Sequence, residues 1–204
     1  MILACPRCHR PLERADGRLA CPDGHHYDVA REGYVHLLRP GVRVAGADTA
    51  EMLAARRSFL DLGHYAPLAV ELAALMAAHG PAVARPEVLD AGCGEGYHLR
   101  RLGQVLAEES GVVTARTGVD LARDAVRRAA RRDPEATFAV GTVHGLPVRS
   151  DVVDVALSVF AHRSFPEFAR VLRPDGLLLV VTPGRGHLRQ LRRLLGRGEP
   201  NGSE

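Results

Sequence analysis

Val88-Leu89-Asp90-Ala91-Gly92-Cys93-Gly94-Glu95-Gly96-Tyr97 decides the fold. A short apolar run ends in an acid, three alternating glycines follow, and Leu99 to Glu109 then reads as a helix. Glycines at this spacing permit a tight strand-to-helix turn and let a ligand approach bare backbone. The loop alone says little. Between a strand and a helix it marks a nucleoside-binding turn. Asp120 closes a second strand, Thr117 to Asp120, where an acid can accept both ribose hydroxyls.

The same alternation continues on both sides of this unit. Glu87 to Asp90 is the first strand and Thr117 to Asp120 the end of the second. Thr137 to Val140, Val152 to Phe160 and Gly176 to Thr182 read as three more. Helical stretches Ala122–Arg132 and Phe165–Leu172 lie between them, and His187–Leu195 follows the last. The pattern predicts an α/β fold with a parallel sheet and helices on both faces. Ahead of it, Asp48-Thr49-Ala50-Glu51 resembles a capping box opening a helix through Leu60. A second helix follows Pro67 and ends near His79-Gly80. Gly41–Gly46 reads as a linker, and the polar tail Gly196–Glu204 as frayed.

The first 40 residues are different. They are rich in Pro, Gly and turn residues, and a metal would have to serve as their core. Three of the four cysteines stand here, as Cys5-Pro-Arg-Cys8 and Cys21-Pro-Asp-Gly-His25. Cys5, Cys8, Cys21 and His25 form a closed tetrahedral zinc set with no position left for substrate, so the metal is structural. His26 and His9 are the alternatives to His25. A chain with four cysteines and no secretory signal is expected in the cytoplasm, where disulfides are rare. Cys93, inside the glycine loop, reads as a small packing residue. The expected division is 1–40 as a zinc-binding recognition module, 41–84 as a helical linker region and 85–204 as the catalytic domain.

The chain has 204 residues and a formal net charge of only +3, yet its basic residues are arginines in clusters. Arg163 to Arg197 holds eight Arg against Glu167 and Asp175, and a second run is Arg123, Arg127, Arg128, Arg131 and Arg132. Two readings are open, a solvated helix face or a footprint for nucleic-acid phosphates. No stretch approaches the roughly eighteen uninterrupted apolar residues of a membrane span, so no membrane partner is expected.

Glu95 inside the loop argues against a dinucleotide, whose pyrophosphate it would repel. It suits a cationic sulfonium cofactor with an amino-acid end. The pattern from Asp90 through Gly96 resembles motif I of S-adenosylmethionine-dependent methyltransferases. Gly145-Leu146-Pro147-Val148 and Leu172-Arg173-Pro174-Asp175-Gly176 agree with it. This resemblance implies a Rossmann-like class I methyltransferase sheet.

The whole chain resembles the RlmA-like family of 23S ribosomal RNA guanine-N1 methyltransferases, which includes the macrolide-resistance type. The knuckle matches ligand for ligand. Arg31 to Leu38, Gly46 to Met52, Ala55 to Asp61, Gly63-His64-Tyr65 and Thr182 to Leu188 match further family segments. The resemblance implies S-adenosylmethionine as cofactor and structural Zn2+. It places Tyr65, Gly94, Glu95 and His187 at the cofactor beside Asp90, Gly92, Gly96 and Asp120. It also implies a 23S rRNA hairpin as substrate and a homodimer. Without the resemblance, Tyr65 and His187 read as capping or packing residues. Two departures stand out. His162 follows Phe160-Ala161 where the family usually has Pro. The family chain also continues past Leu194-Leu195 into an antiparallel hairpin that covers the last strand, whose apolar edge is expected to lie open here.

A guanine N1 is protonated at neutral pH, so a base must take that proton. His144, His162 and Asp154 lie near strand ends, and His144 and His162 are the expected contacts to the target. The target base is expected to be splayed from its loop. Three functions compete: an RNA methyltransferase, a non-catalytic zinc-containing RNA- or protein-binding descendant, and a small-molecule methyltransferase. As separate modules, loss of zinc is expected to unfold residues 1–40 and leave cofactor affinity largely intact.

Overall fold

A computed structural model of the chain describes residues 1–39, 41–42, 49–184 and 186–196. The Gly41–Gly46 linker lies mostly outside these residues, as do Asp48 and the tail from 197 onward. The elements in chain order are β1 (Glu13–Ala15), β2 (Arg18–Ala20), β3 (His26–Asp28) and β4 (Tyr34–His36), then α1 (Ala50–Asp61) and α2 (Ala66–His79). There follow β5 (Glu87–Ala91), α3 (Tyr97–Ser110), β6 (Ala115–Asp120), α4 (Arg123–Arg132) and β7 (Thr137–Val140). The chain continues through β8 (Val153–Val159), α5 (Phe165–Val171), β9 (Leu172–Val181) and α6 (Arg189–Leu194).

Local chemistry sets the helix boundaries. Thr49 caps α1, its hydroxyl accepting from the Met52 amide at 3.2 Å. The third position is therefore Met52, so the reciprocal glutamate of a capping box has no place and Glu51 serves only as first-turn negative charge. Pro67 sits in the first turn of α2, where its missing N–H costs nothing. Gly111, at φ 66°, ends α3 in a left-handed cap. Along α4, Ala125, Val126, Ala129 and Ala130 fall on one buried face.

β1, β2 and β3 form a small antiparallel sheet. The large sheet has six strands in the order β4-β7-β6-β5-β8-β9, and each neighbouring pair is parallel. Composition anticipated five of these strands. The sixth, β4, comes from within the first 40 residues and pairs with β7 from Tyr34↔Phe138 to His36↔Val140. The sequence order reverses between β5 and β8, which makes their carboxyl ends the switch point where such sheets bind ligands. β9 starts earlier than expected, at Leu172. Its pairing with β8 jumps from Val153↔Leu172 to Val155↔Leu177, so Arg173 to Gly176 bulge outward. Among the described residues β9 is an edge strand, as anticipated.

Each face of the sheet carries its own core. One packs α2, α3 and α4 through Leu72, Met76, Leu99, Leu102, Val126 and Ala129 over Val88, Leu157 and Phe138. The other packs Phe168 and Val171 of α5 beside Ile2, Leu3, Leu12 and Leu19 over Leu89, Ala156 and Ala139. The N-terminal segment thus takes the place of a helix on the second face. Backbone bonds join it there, Ala4 N–H to the Pro147 carbonyl at 2.9 Å and Arg149 N–H to the Ile2 carbonyl at 2.9 Å. The expectation that metal alone supplies the core of residues 1–40 is corrected. Ile2, Leu3, Leu12, Leu19, Val35 and Leu37 are buried in the core on that face of the large sheet, which their sparse spacing did not announce.

Candidate active site and metal centre

The glycine loop is held from two sides. The Gly92 and Cys93 amides both donate to the Val119 carbonyl, at 2.8 and 3.1 Å. Gly94 N–H donates to Oδ2 of Asp120 and Ala122 N–H to its Oδ1, each at 2.8 Å. Asp120 therefore braces the loop while its remaining lone pairs stay available to a ligand. Gly92 is required twice over. Its φ is 88°, and an added Cβ would come within 2.4 Å of the Ala161 methyl.

Above the loop lies a cavity of about 760 Å³, large enough for a nucleoside cofactor together with a base. Tyr65, Gly92, Gly94, Glu95, Asp120, His144 and His162 line it, so seven of the ten expected catalytic and cofactor positions meet at one place. Asp90 and Gly96 stand just outside it. Asp90 lies buried beneath the loop, its Oδ1 without a partner. Burial, and secondarily the Asp120 charge, push its carboxyl up to about 7. Gly96, at φ 71°, is the left-handed cap of α3.

His187 is not among the residues that line this cavity. It is exposed in the turn before α6, and its amide donates to the Gly184 carbonyl at 2.9 Å. Leu188, next in the chain, is in a left-handed conformation at φ 56°.

Glu95 is 5% exposed. Arg128 pairs with its Oε1 at 3.3 Å, and its buried Oε2 has no partner. A buried acceptor facing a cavity calls for a donor from a ligand. The ammonium of an amino-acid end supplies one, so the residues fit S-adenosylmethionine. When bound, that cofactor supplies an electrophilic methyl group on sulfur.

Sequence reasoning missed the aromatic wall. Tyr65 meets Phe160 edge-on at 5.7 Å and His98 at 6.0 Å between ring centroids, and His98 meets Tyr97 at 5.1 Å. His98 Nδ1 is buried without a partner, and burial alone holds the imidazole down at about 4, so it is neutral. Its position two residues past the last loop glycine was the available signal. Phe59 and Arg56 of α1 also line the cavity. The α4 arginines are bound inward. Arg123 reaches the Tyr34 hydroxyl, Arg128 reaches Glu95 and the Ala50 carbonyl, Arg131 pairs with Glu32 and Arg132 with Asp61. Four arginines of that run tie α4 to Tyr34, Glu32, α1 and the loop, while Arg123 and Arg131 stay exposed.

Cys5, Cys8, Cys21 and His25 place one ligand atom each within 4.8 Å of the others. A tetrahedral zinc with three sulfurs and one nitrogen has S···S edges of about 3.8 Å and S···N edges of about 3.6 Å. The Cys8–Cys21 separation is 3.6 Å, and His25 Nδ1 lies 3.4 Å from Cys21 and 3.5 Å from Cys5. The cysteines are free thiols, and the Tyr27 hydroxyl stands 3.1 Å from Cys5 Sγ. The four residues fit zinc as expected, with His25 and neither His9 nor His26 as the nitrogen ligand. The tyrosine hydroxyl steadies one sulfur from outside the shell.

Comparison with known proteins bears on both sites. Residues 3–40 match the family described as RlmA, N-terminal, and residues 88–176 match a methyltransferase domain. The chain is 46% identical over 195 residues to the 23S rRNA (guanine(748)-N1)-methyltransferase of Streptomyces fradiae, covering 95% of this chain and 68% of that protein. It is 33% identical over 197 residues to YxjB of Bacillus subtilis, provisionally named a 23S rRNA (guanine-N1)-methyltransferase, with the same coverage. A solved protein of Methanococcus maripaludis, provisionally named an S-adenosylmethionine-dependent methyltransferase, shares the fold, with TM-score 0.51 at 16% identity over 76% of this chain and 73% of that one.

Proposed function

We propose, for a chain that belongs to the family of 23S rRNA (guanine-N1)-methyltransferases, that it transfers the methyl group of S-adenosylmethionine to N1 of a guanine in 23S ribosomal RNA. The observation that carries this reading is a cavity at the switch point. It joins an acid-bearing glycine loop to an aromatic wall and two exposed histidines.

The residues divide the work. Glu95 Oε2 receives the cationic amino-acid end, and Asp120 the ribose. Asp90 lies beneath the loop, Gly96 turns it into α3, and Tyr65 covers the ligand. The new N1–C bond forms as the C–S bond breaks, and the N1 proton leaves. His144 and His162 line the cavity from opposite sides of the sheet switch, and one of them takes that proton. The exposure of both keeps a path to water for its release. Proximity and orientation supply most of the acceleration, as in other in-line displacements.

The finer reading is a guanine splayed from a hairpin loop, because N1 is hidden when the base is paired. The zinc segment and exposed arginines such as Arg7, Arg10 and Arg163 grip phosphates. The protein acts in the cytoplasm as a homodimer. The open β9 edge, the exposed Leu191 and Leu194 of α6 and Leu195 just after it support this, because a second copy would cover them. No single helix among the described residues is long and apolar enough to cross a membrane.

The test is transfer of labelled methyl from S-adenosylmethionine to unmethylated 23S rRNA by zinc-loaded protein, followed by primer extension. Methyl on N1 blocks base pairing, so extension stops beside one guanine. Label that stays out of the RNA, or extension that reads through every guanine, refutes the reading.

A further inference from the structure

Phe160 is placed at a cost. It ends β8 at the carboxyl edge of the sheet with φ at 53°, the left-handed region that a bulky side chain rarely occupies. Its amide is pinned to the Val181 carbonyl at 3.0 Å, which fixes the turn. The result is a phenyl ring that lines the cavity yet stays 44% exposed. Its edge contacts are Tyr65 and His98, at 5.7 and 6.3 Å between centroids. Those contacts leave the ring with free surface toward the cavity. A strained backbone that keeps an aromatic ring wet does nothing for the empty protein. The arrangement makes sense when a flat apolar ligand completes the stack.

We infer that Phe160 is the stacking platform for the target guanine, with Tyr65 and His98 behind it as its backing wall. This rests on the guanine methyltransferase reading and adds a specificity-determining residue to it. The place fits. The cofactor's holding groups, Glu95 and Asp120, follow β5 and β6, whereas Phe160 stands at the end of β8, across the switch point. His162 and His144, the candidates for the N1 proton, line the same cavity. A base stacked on Phe160 would therefore share the cavity with the cofactor loop and both imidazoles. Stacking fixes the plane of the base, and only an in-plane N1 lone pair meets the methyl group in line.

Two variants test this. Phe160→Gly relieves the strain, so its thermal midpoint is expected to hold or rise, while transfer to 23S rRNA at limiting RNA falls about 10- to 100-fold. Its calorimetric affinity for S-adenosylmethionine is expected to stay within twofold of wild type, and Phe160→Tyr to restore transfer. The chain has no tryptophan, so Phe160→Trp installs a sole reporter. Its fluorescence is expected to quench on adding an RNA hairpin with the target guanine, and not with an abasic nucleotide in its place. Equal quenching by both RNAs overturns the assignment. So does a Phe160→Gly protein that loses cofactor affinity while methylating RNA normally once saturated with cofactor. Wild type that transfers methyl, with Phe160→Gly equal to it, sinks the Phe160 assignment alone. Wild type that transfers none to 23S rRNA sinks the underlying function, and this inference with it.

Discussion

Replacing Asp90 by Asn is expected to stabilise the cofactor-free protein, and to do so more strongly as pH rises. Asp90 is 1% exposed, its Oδ1 has no partner, and Asp120 adds a second negative charge nearby. Burial first, and Asp120 second, raise its carboxyl from 3.8 to about 7. The folded protein thus holds a proton that the unfolded chain has lost between those values. Because the folded state binds more protons there, this group's contribution to stability declines from about pH 4 and is flat above about pH 7. At about 1.4 kcal/mol per pH unit the whole interval comes to roughly 4 kcal/mol. Asparagine has the same shape and no charge to desolvate.

His98 titrates in the opposite sense. Its imidazole is lowered from 6.5 to about 4 by burial, so its contribution is present above 6.5 and is lost as pH falls toward 4. The raw pH profile therefore mixes two slopes, and only the difference between variant and wild type isolates Asp90. The assay is denaturant unfolding of zinc-loaded protein followed by circular dichroism, since the chain lacks tryptophan, at pH values from 4.5 to 8.5. The expected difference is small at the acid end, grows to roughly 4 kcal/mol near pH 7 and then levels. A difference that is constant across the range, or that shrinks with pH, refutes the argument that Asp90 is a desolvated carboxyl.

Other perturbations probe other parts of the structure. Cys8→Ser, or chelation of zinc, is expected to speed hydrogen exchange in residues 141–149 as well as 1–40. Because residues 2–4 hold the loop that lines the cavity, the expectation of intact cofactor affinity gives way to a loss of about tenfold, roughly the worth of one hydrogen bond; unchanged exchange in 141–149 would contradict it. Gly92→Ala forces a left-handed Cβ to 2.4 Å from Ala161, so a loss of about 2–4 kcal/mol and of cofactor binding is expected from melting and calorimetry. Arg116 makes a two-pronged pair with Asp133 at 3.0 and 3.2 Å, with both side chains largely buried. Arg116→Ala is expected to cost about 3–5 kcal/mol, and adding Asp133→Asn to recover part of it in the unfolding midpoint.

The parallel sheet was legible because its strands are short apolar runs separated by helices with one apolar stripe. Thr117 to Asp120 and Thr137 to Val140 need no tertiary information to be read. The cavity was legible in part, since glycines and acids at strand ends have few other uses. The aromatic wall was not. Phe160, His98 and Phe59 come from three separate elements, and no spacing in the chain relates them. The same holds for the α4 arginines. A helical run of Arg looks alike whether it faces solvent or reaches a carboxylate far away in sequence, as Arg131 reaches Glu32 and Arg132 reaches Asp61.

The zinc segment shows why composition alone misled about the first 40 residues. Tyr34-Val35-His36-Leu37 reads as ordinary strand, yet nearby chain offers it only the single antiparallel bridge Val29↔Val35. Its partner is β7, a hundred residues on. Once β4 is seated there, Leu37 N–H donates to the Val140 carbonyl at 2.9 Å. The chain then leaves β7 through Thr142, Val143 and His144, which line the cavity, and returns past Pro147, Val148 and Arg149, which bond the residues beside Cys5. The loop between β7 and β8 is therefore clamped at both ends by the N-terminal segment. Cys5 is adjacent to Ala4, the residue that holds Pro147, so the metal and the clamp share one stretch of backbone. A zinc set that only gripped RNA could sit on a tether. One that fixes a wall of the cavity has to be built into the sheet, and it is.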